Sequence, residues 1–208
     1  MKILLKSTLA IGIYFLVSSQ AFSDVIYDNL TNSIAGGGEH IGDGSPGGIA
    51  DSFSTGASVG ALTDVQLVLS DSNPADGDTI NVALYSDNNT ALGSPIIQIG
   101  SISDSSLNSN FATYDFVLTT PEALSSNTRY WVDVSDAYSN TAEWAWTMNI
   151  SGIGVANENF WDYGTAQNKY GPFMMSVGAS SPVPVPSAAW LFTSVLAGFG
   201  IFRRSKDV

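Results

Sequence analysis

The sequence predicts an all-β protein: an antiparallel β-sandwich, jelly-roll-like, flanked by an N-terminal signal-peptide helix and a C-terminal transmembrane helix. Three observations predict it. From about residue 24 to 181 the chain is rich in Ser, Thr, Asn, Asp and Gly, and its apolar residues come in short runs that alternate with polar ones. That is the period of a half-buried strand, and long helical patterns are missing. About nine such runs recur at sandwich spacing, separated by turn-forming clusters. At both ends stand apolar stretches of another kind, continuous and uncharged.

Residues 1–23 read as a secretory signal peptide. Lys2 and Lys6 supply a basic start, and Leu9 to Val17 an apolar middle. Ser19-Gln20-Ala21 and Ala21-Phe22-Ser23 each place small residues at the −3 and −1 positions, so cleavage after Ala21 and cleavage after Ser23 both fit. The Sec translocon and signal peptidase are the partners this implies.

Residues 24–179 form the expected ectodomain. Val25 to Asn29 is its first strand. Ile34 to Gly48 carries seven glycines and Pro46 and reads as a loop. Ala50 to Ser54 is a second strand. In Ala61 to Ser70, Val65, Leu67 and Leu69 share one face, and Asp64, Gln66 and Val68 the other. Asp71 to Asp78 is a turn. Thr79 to Ser86 sets Ile80, Val82 and Leu84 against Asn81, Ala83 and Tyr85. Ile96 to Ile99 and Phe111 to Leu118 follow, then a loop at Pro121-Glu122. Arg129 to Val134 sets Tyr130, Val132 and Val134 against Arg129, Trp131 and Asp133. Glu143 to Ile150 and Phe173 to Val177 complete the set, with Gly152 to Ala156 as a connector.

Residues 180–186 are a proline-rich linker and sorting motif, residues 187–202 a transmembrane helix, and residues 203–208 a basic cytoplasmic tail. Ser187 to Phe202 carries no charge over 16 residues, a helix roughly 24 Å long. That is short against about 20 residues for a full span, and local thinning or reaching Lys and Arg side chains cover the difference. Arg203, Arg204 and Lys206 set the cytoplasmic side.

The order Val183-Pro184-Val185-Pro186-Ser187-Ala188-Ala189-Trp190-Leu191-Phe192, a glycine-containing apolar helix and then Arg203-Arg204 resembles a PEP-CTERM sorting signal. The usual acid between the prolines is Val185 here. The resemblance implies a Gram-negative source and processing by an exosortase, a membrane-embedded cysteine protease-transpeptidase. Four further stretches resemble the exported choice-of-anchor domains, type R above all: Tyr27-Asp28-Asn29-Leu30, Ala50 to Gly56, Asn81 to Asp87 with Gly93-Ser94-Pro95, and Tyr130-Trp131 with Glu143 to Trp146. This second resemblance implies a surface or matrix protein and no catalytic residue.

Composition narrows the chemistry. Between residues 24 and 181 lie 18 of the 19 acidic residues, all but Asp207, and of the basic ones only Arg129 and Lys169, so the formal charge there is 2 − 18 = −16. Such a surface repels nucleic acid and anionic membranes. The chain has no cysteine, which excludes disulfides, thiolate metal sites and a cysteine nucleophile.

Candidate sites are few. The turn residues Asp71, Asn73, Asp76 and Asp78 offer hard oxygens for Ca²⁺, but their register is not that of an EF-hand, and the same residues build plain turns. Asp28, Glu39, Asp43 and Asp51 surround the glycine loop and offer a second structural Ca²⁺ site; no other cofactor is expected. Trp144 and Trp146 share a sheet face, either as a sugar-stacking platform or as core. His40, the sole histidine, reads as an exposed loop residue, and no nucleophile elbow accompanies it. The expectation is therefore an exported, exosortase-processed protein of the cell surface or extracellular matrix, structural or adhesive and without catalysis. The alternative is a carbohydrate-binding module that recognises exopolysaccharide.

Overall fold

The computed structural model describes residues 23–42, 48–57, 59–75, 77–136, 141–155, 160–162, 165–166 and 171–180. Ala21, the sorting motif Val183 to Pro186, the apolar segment 187–202 and Arg203-Arg204 lie outside them. No helix among the described residues is long and apolar enough to cross a membrane.

The described chain is all-β. Its strands are β1 (Ser23–Asp28), β2 (Gly38–His40), β3 (Ile49–Ser54), β4 (Ala61–Asp71), β5 (Thr79–Asp87), β6 (Leu92–Ser103), β7 (Ala112–Ala123), β8 (Arg129–Asp136), β9 (Ala142–Ala145), β10 (Phe160–Asp162), β11 (Thr165–Ala166) and β12 (Met175–Ser180). They form two six-stranded sheets. One runs β1-β12-β4-β9-β2, with β7 also paired to β4; the other runs β11-β10-β3-β8-β5-β6. The strand pairs are antiparallel.

Alternation places the core. Val65, Leu67 and Leu69 of β4 and Val177 of β12 face Ile80, Val82 and Leu84 of β5 and Val132 and Val134 of β8 in one cluster. Two sheets sharing one core are consistent with a β-sandwich. Each fully buried aliphatic side chain contributes about 1.5–3 kcal/mol relative to exposure. The opposite face of the first sheet carries a smaller cluster, Val68, Ala145 and Met174, with Leu30 and Phe111 against it.

The strands depart from the sequence expectation in five places. Asp87 to Pro95 reads as a turn and Ile96 to Ile99 as the extended part, yet β6 runs from Leu92 to Ser103, because β5 pairs with it along its whole length. The glycine-rich stretch contains β2, whose Gly38 pairs with Ala145. A Cβ on Gly38 would sit 2.8 Å from the Trp144 carbonyl oxygen and 2.9 Å from the Phe111 ring, so only glycine lets β2 approach. Pro121 and Glu122 lie inside β7, in place of a loop. The β4–β7 register shifts between Leu62 (paired with Glu122) and Asp64 (paired with Val117), and Pro121 falls in that bulge, where no ladder donor is needed. The strand expected over 143–150 ends at Ala145. β12 pairs with β4 at residues 62–67 and β9 at 69–71, while β7 takes the other edge; β9 is short because β12 has already filled that edge. β10 and β11 are too short to carry a periodic signal.

Buried polar groups hold the strand ends. Asn29 is fully buried; its Nδ2 donates to the Phe173 carbonyl at 2.8 Å, and its Oδ1 accepts from the Met175 amide at 2.8 Å. One side chain thus pins the end of β1 to the start of β12.

Candidate functional site

The outer face of the second sheet carries the site. Strand alternation sends Asn81, Ala83 and Tyr85 of β5 away from the core. Register sets their neighbours in rows across three strands. Ser135, Asn81 and Ser101 form one row, Asp133, Ala83 and Gln98 the next, and Trp131, Tyr85 and Pro95 the third. Ala83 occupies the middle of this grid. Its short side chain leaves a depression between longer neighbours, an open pocket of about 460 Å³ lined by Asn81, Ala83, Tyr85, Pro95, Ile96, Ile97, Gln98, Asp133 and Ser135.

β6 shapes the far wall. Leu84 pairs with Ile97 and Tyr85 with Pro95, which leaves Ile96 as the extra residue of a bulge; Ile99 is the extra residue of another, between Gln98 and Gly100. Bulges bend the strand and re-aim side chains, and Ile96, 40% exposed, stands on the pocket wall. Gln98 Nε2 donates to Asn81 Oδ1 at 3.2 Å and ties the β6 rim to β5.

Asp133 forms the inner wall. It is 2% exposed, and its Oδ1 has no hydrogen-bond partner among the described residues. Burial of the carboxylate, with its charge stripped of water, pushes its pKa up to about 7. Near neutral pH the carboxyl is therefore both donor and acceptor. Burial, and then the Asp133 charge, also raises the Tyr85 phenol above its ordinary value. Trp131 beside them is fully buried and donates from Nε1 to Asp87 Oδ1 at 2.9 Å.

The expected sites come out differently. Trp144 and Trp146 do not form a sugar platform. Trp144 is fully buried, stacks on Phe173 with ring centroids 4.7 Å apart, and donates from Nε1 to the Met174 carbonyl at 3.0 Å; Trp146 is partly buried against the same core. Sharing a strand face did not mean an exposed face, because that face is the inner one.

Among the described residues, neither expected Ca²⁺ set comes together. Asp28 Oδ1 accepts from the Leu30 amide at 2.9 Å, Asp51 Oδ2 accepts from the Tyr27 hydroxyl in the core, and Glu39 sits on β2 opposite Trp144. These carboxylates do not converge among the described residues; Asp43 lies outside them. In the turn, Asp71 Oδ1 accepts from the Asn73 amide at 2.9 Å, which makes it a turn cap, and Asp76 lies outside the described residues. Asp78 instead meets Asp104 and Asp136, with one carboxylate oxygen of each within 4.8 Å of the others. Such hard oxygens suit a divalent cation such as Ca²⁺, and exposed acidic groups also gather without one. Register explains the meeting: Thr79 pairs with Ser103 and Ile80 with Asp136, so strands β5, β6 and β8 deliver the three acids to one end of the sheet. No spacing along the sequence signals it.

His40 lies on β2, exposed, with Nε2 3.8 Å from Glu143 Oε1. Its register partner is Glu143, so the contact is a cross-strand pair.

No family model matches the chain, and no curated protein matches it.

Proposed function

We propose that the protein is an exported surface or extracellular-matrix component, structural or adhesive and without catalysis, whose precursor is cut by signal peptidase and by an exosortase. The observation that carries this reading is the pairing of a signal-peptide-like start with the Pro184-Val185-Pro186, apolar and Arg203-Arg204 ending. The fold is compatible with it. Ser23, first in β1, is the register partner of Ser180, last in β12, so the segments that precede and follow the sheets leave from one corner. A domain built that way sets the strand ends that lead to the two processed segments side by side. The acidic charge of −16 over residues 24–181 keeps it in solution and away from anionic lipid and nucleic acid. The finer topology in this reading is a jelly-roll-like sandwich, with each sheet drawing strands from both halves of the chain.

Intact mass and location of the protein in its own host, with and without the exosortase, test the reading. The expected product begins at Phe22 or Asp24, ends near Pro186 and reaches the surface or matrix only when the exosortase is present. A chain that keeps Arg203-Arg204 in both strains would overturn the processing, and a chain that stays in the cytoplasm with both ends intact would overturn export.

A further inference from the structure

We propose that the start of β3 is a pH-operated hinge: in acid the neutral Asp133 carboxyl lets Gly48 and Ile49 close against β8, and ionisation of that carboxyl lifts them away so that water reaches it.

The carboxyl is walled in on the β3 side. Asp133 lies between its register partners, Ala83 of β5 and Ala50 of β3. It is almost fully buried, and its Oδ1 is closed to solvent and has no hydrogen-bond partner among the described residues. Gly48 passes directly beside that oxygen. A Cβ at Gly48 would stand 3.2 Å from Asp133 Oδ1 and 2.3 Å from the Val134 carbonyl oxygen, and φ there is +36°. Only glycine comes so close in that conformation. A neutral carboxyl tolerates the enclosure at the cost of a hydrogen bond not made, whereas a carboxylate stripped of water is far more costly.

The fold decides which wall yields. β5 is held on both sides, by β6 along its whole length and by β8 from Ile80 to Ser86. β3 has on its far side only the three residues of β10, backed by the two of β11. The other end of β3 is pinned. Phe53 stacks on Tyr130 with ring centroids 5.9 Å apart, the Thr55 amide donates to the Thr128 carbonyl at 2.9 Å, and Thr55 Oγ1 donates to the Ser125 carbonyl at 2.7 Å. Gly48, Ile49 and Ala50 carry no polar side chain to do the same. The strand therefore pivots about Phe53 and Thr55. β10 moves with it, since its partners are Ile49, Ala50 and Asp51.

The surrounding groups do not offset the charge. β5 presents Tyr85 and Asp87 to the same face, and Asp87 Oδ1 accepts from Trp131 Nε1. β8 itself presents Arg129, four residues and about 13 Å along the strand. Asp51, the titratable residue of β3, turns to the core, where its Oδ2 accepts from the Tyr27 hydroxyl. β6 has no titratable residue. Burial alone sets the behaviour of the carboxyl, which keeps its proton up to about pH 7 when closed in. Opened to water, it releases the proton near pH 3.9. Between those values the open form binds fewer protons, so opening becomes easier as pH rises.

Amide hydrogen exchange on the full-length chain in zwitterionic micelles, from about pH 4 to about pH 8, tests the hinge, with each rate divided by that of an unstructured peptide at the same pH. Protection of the amides within Ile49–Asp51 is expected to fall about tenfold per pH unit up to about pH 7, about a thousandfold in all, and then to level off. At pH 7 it is expected to lie below that of the Thr55 amide and to be insensitive to low urea, because a local opening exposes little surface. Asp133→Asn, neutral at every pH, is expected to keep the protection at its acid level throughout. Protection that stays constant with pH overturns the proposal, and so does an equal fall in Asp133→Asn. Exchange that quickens with urea in step with the Val82–Leu84 amides of β5 also overturns it, because the proton would then act on global stability alone. If Asp133→Asn does not fold, the comparison of Ile49–Asp51 with Thr55 in the unsubstituted chain, with and without urea, decides by itself. The hinge does not rest on the sorting reading.

Discussion

Tyr85 and Asp133 stand one row apart on adjacent strands, and the carboxylate's charge, added to burial, holds the phenol in its neutral form. The carboxyl in turn is held protonated by burial, up to about pH 7. Below about pH 7 two acids on an outer sheet face thus stay largely uncharged, and above it the carboxylate's charge adds to burial at the phenol.

That relationship sets a pH dependence. An unfolded chain releases the Asp133 proton near pH 3.9, whereas the folded chain keeps it to about pH 7. The folded state therefore binds more protons between those values, and stability falls as pH rises through the window. The group costs nothing below about pH 4 and its full amount above about pH 7, on the order of 4 kcal/mol for a shift of this size. Asp133→Asn is expected to raise the melting temperature at pH 8, change it little at pH 4, and flatten the profile between. Thermal unfolding of both proteins across that range checks it; an unchanged slope would mean that Asp133 titrates normally.

Trp144 is core, and its loss should be felt as such. Trp144→Ala removes a fully buried ring, its stack on Phe173 and the donor to the Met174 carbonyl. A loss of about 3–5 kcal/mol is expected in denaturant unfolding. A loss below about 1 kcal/mol would place the ring at the surface, where a sugar could reach it.

Asn29→Ala leaves the Phe173 carbonyl and the Met175 amide without their buried partner. Two such orphaned groups cost about 2–4 kcal/mol together. Hydrogen exchange at Met175 should accelerate well before the amides of β8, because only the β1–β12 junction loosens.

Gly171 turns the chain back toward β9 with φ +108°, and a Cβ there would lie 2.0 Å from the Thr147 carbonyl oxygen. Gly171→Ala is expected to destabilise the fold by about 1–3 kcal/mol. Gly56 is the matched control: a Cβ at that position would meet no heavy atom within 4 Å, and Gly56→Ala should be near neutral in the same unfolding measurement.

Much of the fold is legible in the chain, because burial on one face leaves a period of two. Ile80, Val82 and Leu84, or Tyr130, Val132 and Val134, declare strands and an inward face without any partner in view, and the core takes them as expected. The weaker cases are those where pairing overrides local pattern. Gly38 to His40 look like loop and form β2, since the edge of β9 is there to receive them. Residues 147–150 look like strand and are not, since β12 has taken the edge they needed.

The site was less legible, and for one reason. Ala83 is an inconspicuous small residue in the sequence, and Asp133 one acid among 19. Only register sets them side by side with Gln98, and only the β6 bulges turn Ile96 onto the wall. The strand class, the inward faces, the acidic charge of the middle and the expectation of export all follow from residue order, since each is a property of neighbours along the chain. That Trp144 is core, that Asp78 meets Asp104 and Asp136, and that a buried carboxyl opens beside an alanine follow from tertiary pairing alone, because each depends on which distant strand lies alongside.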